Sequence, residues 1–301
     1  MTWTFVLLGL AICVVWLPNI SLAGNVALPP WVLAFAAAIL AGLSEGALTP
    51  AALPFLAALA ALTWASTAVS AQGWSTLLTT LAAFLAIALS LHLLPGFNNQ
   101  PLIHAVKLSP DAAPFTQYLN FDKGTVGLLF LAAYAPRMRS LAELREVVRP
   151  TLVAIGGTVV LVFGAAMASG YVRPDLKLPA LTLTFVAVNL LFTCVAEEVF
   201  FRGLIQERLA RWVERLTATA KLGSRLQRSS ALRWLPVAVS TVLFALAHFA
   251  GGPPLVLLAG LAGLGYAVAY MQTRRIEVAI ATHISVNVFH FLGFTYPYVA
   301  P

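Results

Sequence analysis

The chain predicts an all-α protein, a polytopic transmembrane helix bundle of about eight to ten membrane segments. Three observations carry that reading. Of 301 residues, 60% are hydrophobic and only 10% charged, where a soluble domain carries about 25% charged residues. Mean hydropathy is +0.88. Apolar runs recur along the chain, many of them near the roughly 20 residues that a helix needs to cross a bilayer.

Taken in order, the runs fall near 2–17, 31–44, 50–70, 75–95, 124–135, 151–171, 179–204, 235–250, 254–272 and 276–296. The first lacks a basic leader and a clean small-residue cleavage site, so it reads as a span. The runs at 31–44 and 124–135 are short, the length of half-helices, re-entrant segments or tilted helices. Segments are expected to begin directly after Pro30, Pro150, Pro179, Pro236 and Pro254, since proline suits a first helical turn. Pro50 and Pro54 are expected to bend the third run, and Glu45 reads as a loop charge. Cys13 and Cys194 lie far apart in apolar runs and read as small core residues, with no disulfide or metal knuckle between them. No repeat of fixed period is visible.

The net charge of +7 is concentrated. Arg208, Arg211, Arg215, Lys221, Arg225, Arg228 and Arg233 crowd one stretch, against Glu207 and Glu214. Arg137, Arg139, Arg145 and Arg149 mark a second stretch, and Arg274 with Arg275 a third. Basic loops beside spans report the cytoplasmic side, and they also suit contact with anionic lipid. No nucleic-acid partner is expected.

Chemistry concentrates in Ala196-Glu197-Glu198-Val199-Phe200-Phe201-Arg202. An ionisable residue in a span costs about 2.5–3.5 kcal/mol on insertion scales, so three within six positions are a functional signal. At 100° per residue, Glu198 and Arg202 share a helix face, while Glu197 points elsewhere. Further on come Phe244-x-x-x-His248 and His283-x-x-x-Asn287, with His290 continuing the face of the latter pair. Along ideal helices His283 lies about 12 Å from Arg275, Glu197 about 16 Å from Arg208, and His248 about 22 Å from Arg233. Those depths allow one polar cavity open to the cytoplasm. A carboxylate and an imidazole together can bind and deprotonate water, while a second histidine and an amide can donate to an oxyanion. Alternatively Glu197, His248 and His283 supply a Glu/His/His set for Zn2+, although no H-E-x-x-H helix is present. Neither cysteine has a nearby partner, so a covalent nucleophile is not expected.

Glu197-Glu198-x-x-x-Arg202, Phe244-x-x-x-His248 and His283-x-x-x-Asn287, in that order and each in its own apolar run, resemble the CPBP family. That family comprises CAAX prenyl endopeptidases and bacterial bacteriocin-processing or self-immunity proteins. The resemblance covers about 179–296. It implies an α-helical intramembrane endopeptidase acting on a peptide or lipidated protein in the lipid bilayer, near the C-terminus of the substrate. It further implies that Glu197 acts as general base on water with His248, that Glu198 and Arg202 support it, and that His283 and Asn287 form the oxyanion site. No cofactor is favoured, with Zn2+ the alternative. On this basis 150–296 is expected to be the catalytic core and 1–135 accessory, in a bacterial inner membrane with the cavity facing the cytoplasm. The rival readings are a catalytically silent membrane scaffold or immunity protein, and a proton-coupled transporter. Transporters more often spread their polar groups over paired repeats.

Overall fold

The computed structural model describes residues 2–21, 27–219 and 230–300. Lys221, Arg225 and Arg228 of the basic stretch therefore lie outside the described residues. The protein is an all-α integral membrane protein. Six described helices are long and apolar enough to cross a membrane: Pro50–Ala68, Gln72–Ser90, Leu141–Ala168, Thr182–Ala218, Phe249–Thr273 and Ile276–Gly293. Trp3–Trp16, Pro30–Ser44 and Ala231–Ala247 are shorter apolar helices. Large apolar side chains such as Trp64, Phe84, Val160 and Leu257 are exposed on them, as a lipid-facing surface requires. The described strands are short and form two two-stranded sheets, one pairing Ile20–Ser21 with Ala27–Leu28 and the other Gln100–Val106 with Phe115–Leu119. The second falls between the apolar runs at 75–95 and 124–135.

The chain divides into two compact units, the first comprising 1–106, 116–134 and 187–197, the second 107–115, 135–186 and 198–301. In the first unit, Phe121–Ala133 forms a 13-residue helix, about 20 Å long and short of a bilayer core of about 30 Å. It is buried along almost its whole length, packed against Trp3–Cys13, Leu53–Ala68, Gln72–Ser90 and 189–194. Gly127 permits that packing. A Cβ there would lie 3.2 Å from the Ala196 Cα, tight enough that the two backbones would have to move slightly apart.

In the second unit, Leu141–Ala168, Gly252–Thr273 and Ile276–Gly293 pack on one another, and Ser230–Ala247 lies against Gly252–Thr273 and 199–206. Phe163, Phe201, Phe244, Tyr266, Val286 and Phe294 fill the space between them. The strap 173–177 caps the last helix. Asp175 N–H donates to Gly293 O and Lys177 N–H to Leu292 O, satisfying carbonyls that a helix end leaves open. At the basic end, Glu207 accepts from Arg211, Arg274 and the Tyr270 hydroxyl, so Arg274 has a structural tie as well as a topological meaning.

Several expected starts move. The helix Leu141–Ala168 runs straight through Pro150 and begins at a Ser140 N-cap, whose Oγ accepts from the Glu143 N–H. Ser140-x-x-Glu143 has the spacing of a capping box, a stronger start signal than the proline. Pro236 likewise lies inside Ser230–Ala247. Pro50 and Pro54 fall in first turns, so they begin the third helix and do not bend it. Cys13 is exposed, whereas Cys194 is buried as expected.

Glu45 is more than a loop charge. Its carboxylate accepts from the Trp3 and Thr4 N–H groups and from the Thr4 hydroxyl at 2.6 Å, closing the N-terminus of the first helix. The Thr4 hydroxyl, then the Thr4 N–H, hold its pKa below the usual carboxylate value. A depressed folded pKa adds stability above the unfolded value of 4.5, and that stability is lost as pH falls through the folded one. Acidification below about pH 4.5 should therefore lower the melting temperature of the wild type more than that of Glu45→Gln. Parallel pH–melting curves for the two proteins would remove the cap from this account.

Candidate active site

The run Thr182–Ala218 is helical throughout, but not α-helical throughout. Residues Asn189–Cys194 and Val199–Gln206 are π-helical, and the short α-turn Val195–Glu198 between them carries the two carboxylates. π-segments are rare and frequent at functional sites. The 100° step assumed from sequence thus fails on both sides of the acidic pair. One carbonyl of the widened segment, that of Phe201, is taken up by the Ser240 hydroxyl.

In the second unit, Glu198 and Arg202 are both fully buried. Arg202 Nη1 donates to Glu198 Oε1 at 3.3 Å, and Nε approaches Oε2 at 3.2 Å. Arg202 Nη2 donates to Gly263 O at 2.8 Å. The guanidinium carbon lies 4.6 Å from the Phe244 ring centroid and 5.5 Å from that of Tyr266. Gly263 leaves room for this: a Cβ there would sit 2.9 Å from Phe244 and 3.3 Å from Arg202 Nη2. Glu198 Oε1 also meets His283 Nδ1 at 2.8 Å, across 85 positions of sequence. Since a carboxylate only accepts, Nδ1 of His283 carries a proton. The Tyr266 ring stacks on His283 at 4.5 Å and 17°, fixing its plane.

His248 sits where Ser230–Ala247 ends, not within a helix as the sequence suggests. Its Nδ1 faces Phe244 O at 2.8 Å. A carbonyl cannot donate, so Nδ1 carries a proton, and of the two neutral tautomers this is the one in which Nε2 accepts. A cavity of about 120 Å³ is lined by His248, His283, Asn287 and His290, with Phe244, Tyr266 and aliphatic side chains making up much of the rest. The spacing of His283, Asn287 and His290 is thus realised as one polar line along a cavity wall.

Glu197 belongs to the first unit, where Lys123 Nζ donates to its Oε1 at 2.8 Å. Next to Lys123, the buried Asp122 accepts from His92 Nδ1 at 2.7 Å and from the Asn99 amide. Lys123 escapes the sequence reading because Asp122 and Lys123 fall just before the apolar run at 124–135, whereas the helix begins at Phe121. Gly42-Leu43-Ser44-Glu45-Gly46 has the G-x-S-x-G spacing of a nucleophile elbow, also overlooked from sequence. Ser44 ends a helix and its hydroxyl donates to Ala41 O, so the strand-to-helix setting of that motif is missing. Among the described residues, no group of three or more His, Cys, Asp or Glu is arranged to hold a metal ion.

A buried ion pair tied to a histidine thus lies in a bundle of apolar helices, beside a cavity lined by three histidines and an asparagine among apolar side chains. Residues 179–289 are similar to the family described as Type II CAAX prenyl endopeptidase Rce1-like. The match takes in Glu197, Glu198, Arg202, His248, His283 and Asn287, and supports a CAAX-type intramembrane protease. No match was found among curated proteins or among solved structures.

Replacing Arg202 by alanine takes the guanidinium from the buried Glu198 carboxylate and leaves it to His283. Loss of one partner of a buried pair costs about 3–5 kcal/mol. Arg202→Ala should therefore fall far below wild type in thermal unfolding in detergent. A melting temperature equal to that of wild type would refute the pairing.

Proposed function

We propose that the protein is an intramembrane endopeptidase that hydrolyses a peptide bond near the C-terminus of a membrane-associated or lipidated substrate. The observation that carries this reading is the cavity shared by His248, His283 and Asn287, with His283 backed by the Glu198–Arg202 pair. In this reading Glu197 is the general base. Water gives one hydrogen to Glu197 and directs the other at the lone pair of His248 Nε2, whose tautomer follows from the bond to Phe244 O. The hydroxide adds to the scissile carbonyl as Glu197 takes the proton. The oxyanion then accepts from the Asn287 amide and from His283 Nε2–H. Collapse breaks the C–N bond, and Glu197 returns its proton to the amine that leaves.

The oxyanion role sets a condition on His283. Its Nδ1 proton is committed to Glu198, so donation from Nε2 requires the ring to carry both protons. Arg202, Glu198 and a doubly protonated His283 sum to one positive charge, buried beside the point where negative charge develops. Glu198 is then a positioning residue that acts through His283. The basic residues around Arg274 and Arg275 support a cytoplasmic location for that end of the bundle.

Cleavage of a panel of fluorogenic peptides, prenylated and unprenylated, by the purified protein tests the reading. Glu197→Gln should lose at least about a hundredfold in rate, as removal of a general base does, while staying folded, since an amide oxygen at that position can still accept from Lys123 Nζ. Turnover by Glu197→Gln at the wild-type rate would dismiss it as the base. Loss of wild-type activity with a zinc chelator would replace the water-activating pair by a metal. Failure of the wild type to cleave any peptide would favour the silent scaffold.

A further inference from the structure

His290 lies one residue beyond the stretch that matches the family, yet it lines the same cavity as His248, His283 and Asn287. Its ring is held between aromatic neighbours, with the Tyr296 centroid at 4.8 Å and that of Phe163 at 5.6 Å. The backbone of Thr295 and Pro297 hydrogen-bonds the ring. Pro297 has no N–H, and the Thr295 N–H is spent on Arg173 O, so both groups act through their carbonyls. The nitrogen on that side is Nδ1, which therefore carries the proton. Nε2 is buried and has no hydrogen-bond partner among the described residues. In the ring so fixed the Nε2 lone pair is left unmade in a residue that lines the cavity, and an unmade buried acceptor is unfavourable. What this nitrogen needs is a donor.

The walls near it are apolar: Val162, Phe163, Ala166, Val172 and Val286. An extended peptide supplies what the cavity lacks, apolar side chains for the walls and N–H donors for the polar line. From His283 to His290 the helix rises about 10 Å, which an extended chain covers in about three residues. We infer that His290 is a substrate-contacting residue whose Nε2 accepts a backbone N–H of the bound peptide, within about three residues of the bond held at His283 and Asn287. The inference rests on the peptidase reading above and adds to it a binding contact that takes no part in the proton transfers.

The test is binding, read separately from cleavage. Fluorescein-labelled apolar octapeptides, prenylated and unprenylated, are titrated by anisotropy into full-length Glu197→Gln protein in nanodiscs, with and without His290→Phe. Phenylalanine keeps the ring packing and removes the acceptor, and should weaken binding roughly tenfold. His290→Gln, which offers an amide oxygen, should recover part of the loss and serves alone if the phenylalanine variant unfolds. A series of the same peptide, methylated at one backbone nitrogen at a time, locates the donor. At one position methylation should weaken binding to the parent protein roughly tenfold and add nothing in the His290 variant. Equal affinities with and without the His290 change overturn the inference, as does a methylation series in which every position is additive. A parent protein that binds none of the peptides overturns it too. Intact binding with this pattern in a protein that cleaves nothing overturns the peptidase reading and leaves the contact standing.

Discussion

Glu198 is a carboxylate with no access to water, and the arrangement around it is what makes that tolerable. Its Oε1 faces both Arg202 and His283, and Arg202 in turn is held by the Gly263 carbonyl and the faces of Phe244 and Tyr266. Each neighbour also shapes the cavity. Phe244 supplies the carbonyl that sets the His248 tautomer, and Tyr266 supplies the plane against which His283 stacks. The same residues that neutralise one buried charge therefore orient two cavity histidines. Charge burial and site geometry are one constraint here, because in a low-dielectric interior an ion must be met by fixed partners or not buried at all.

The first unit solves a related problem with different means. Lys123 meets Glu197, and the neighbouring Asp122 accepts hydrogen bonds from His92 and Asn99. Both acidic groups depend on a helix too short to cross a bilayer unaided, which makes its burial against other helices a requirement. Gly127 permits that burial by bringing the backbone to Ala196, next to Glu197 itself.

The fold class was legible because a chain with few charges and repeated apolar runs has few alternatives in water or lipid. The polar residues of the site stood out for the same reason, since ionisable groups are conspicuous against Leu, Val and Ala. Spacing could give Glu198 with Arg202, and His283 with Asn287 and His290, because helical neighbours are three or four apart. It could not give Glu198 with His283, or Lys123 with Glu197, which are separated by 85 and 74 positions. The π-segments were invisible for another reason: they depend on what neighbouring helices offer to the loosened carbonyls, as Ser240 does for Phe201. Helix starts failed where proline was given priority over capping. Pro150 is accommodated inside a helix whose true beginning is the Ser140–Glu143 cap.

The distance in sequence between Glu198 and His283 bears on how the protein is made. Membrane proteins enter the bilayer segment by segment as the chain is synthesised, and a helix bearing Glu197, Glu198 and Arg202 is expensive to release into lipid by itself. At that moment Arg202 is at hand, but Phe244, the Gly263 carbonyl and His283 have yet to emerge. The carboxylate helix must wait, beside the translocation machinery or against the helices already inserted, until the last span arrives. A chain cut short before residue 283 would hold its most polar helix without the final partner, and quality-control proteases would meet it in that state.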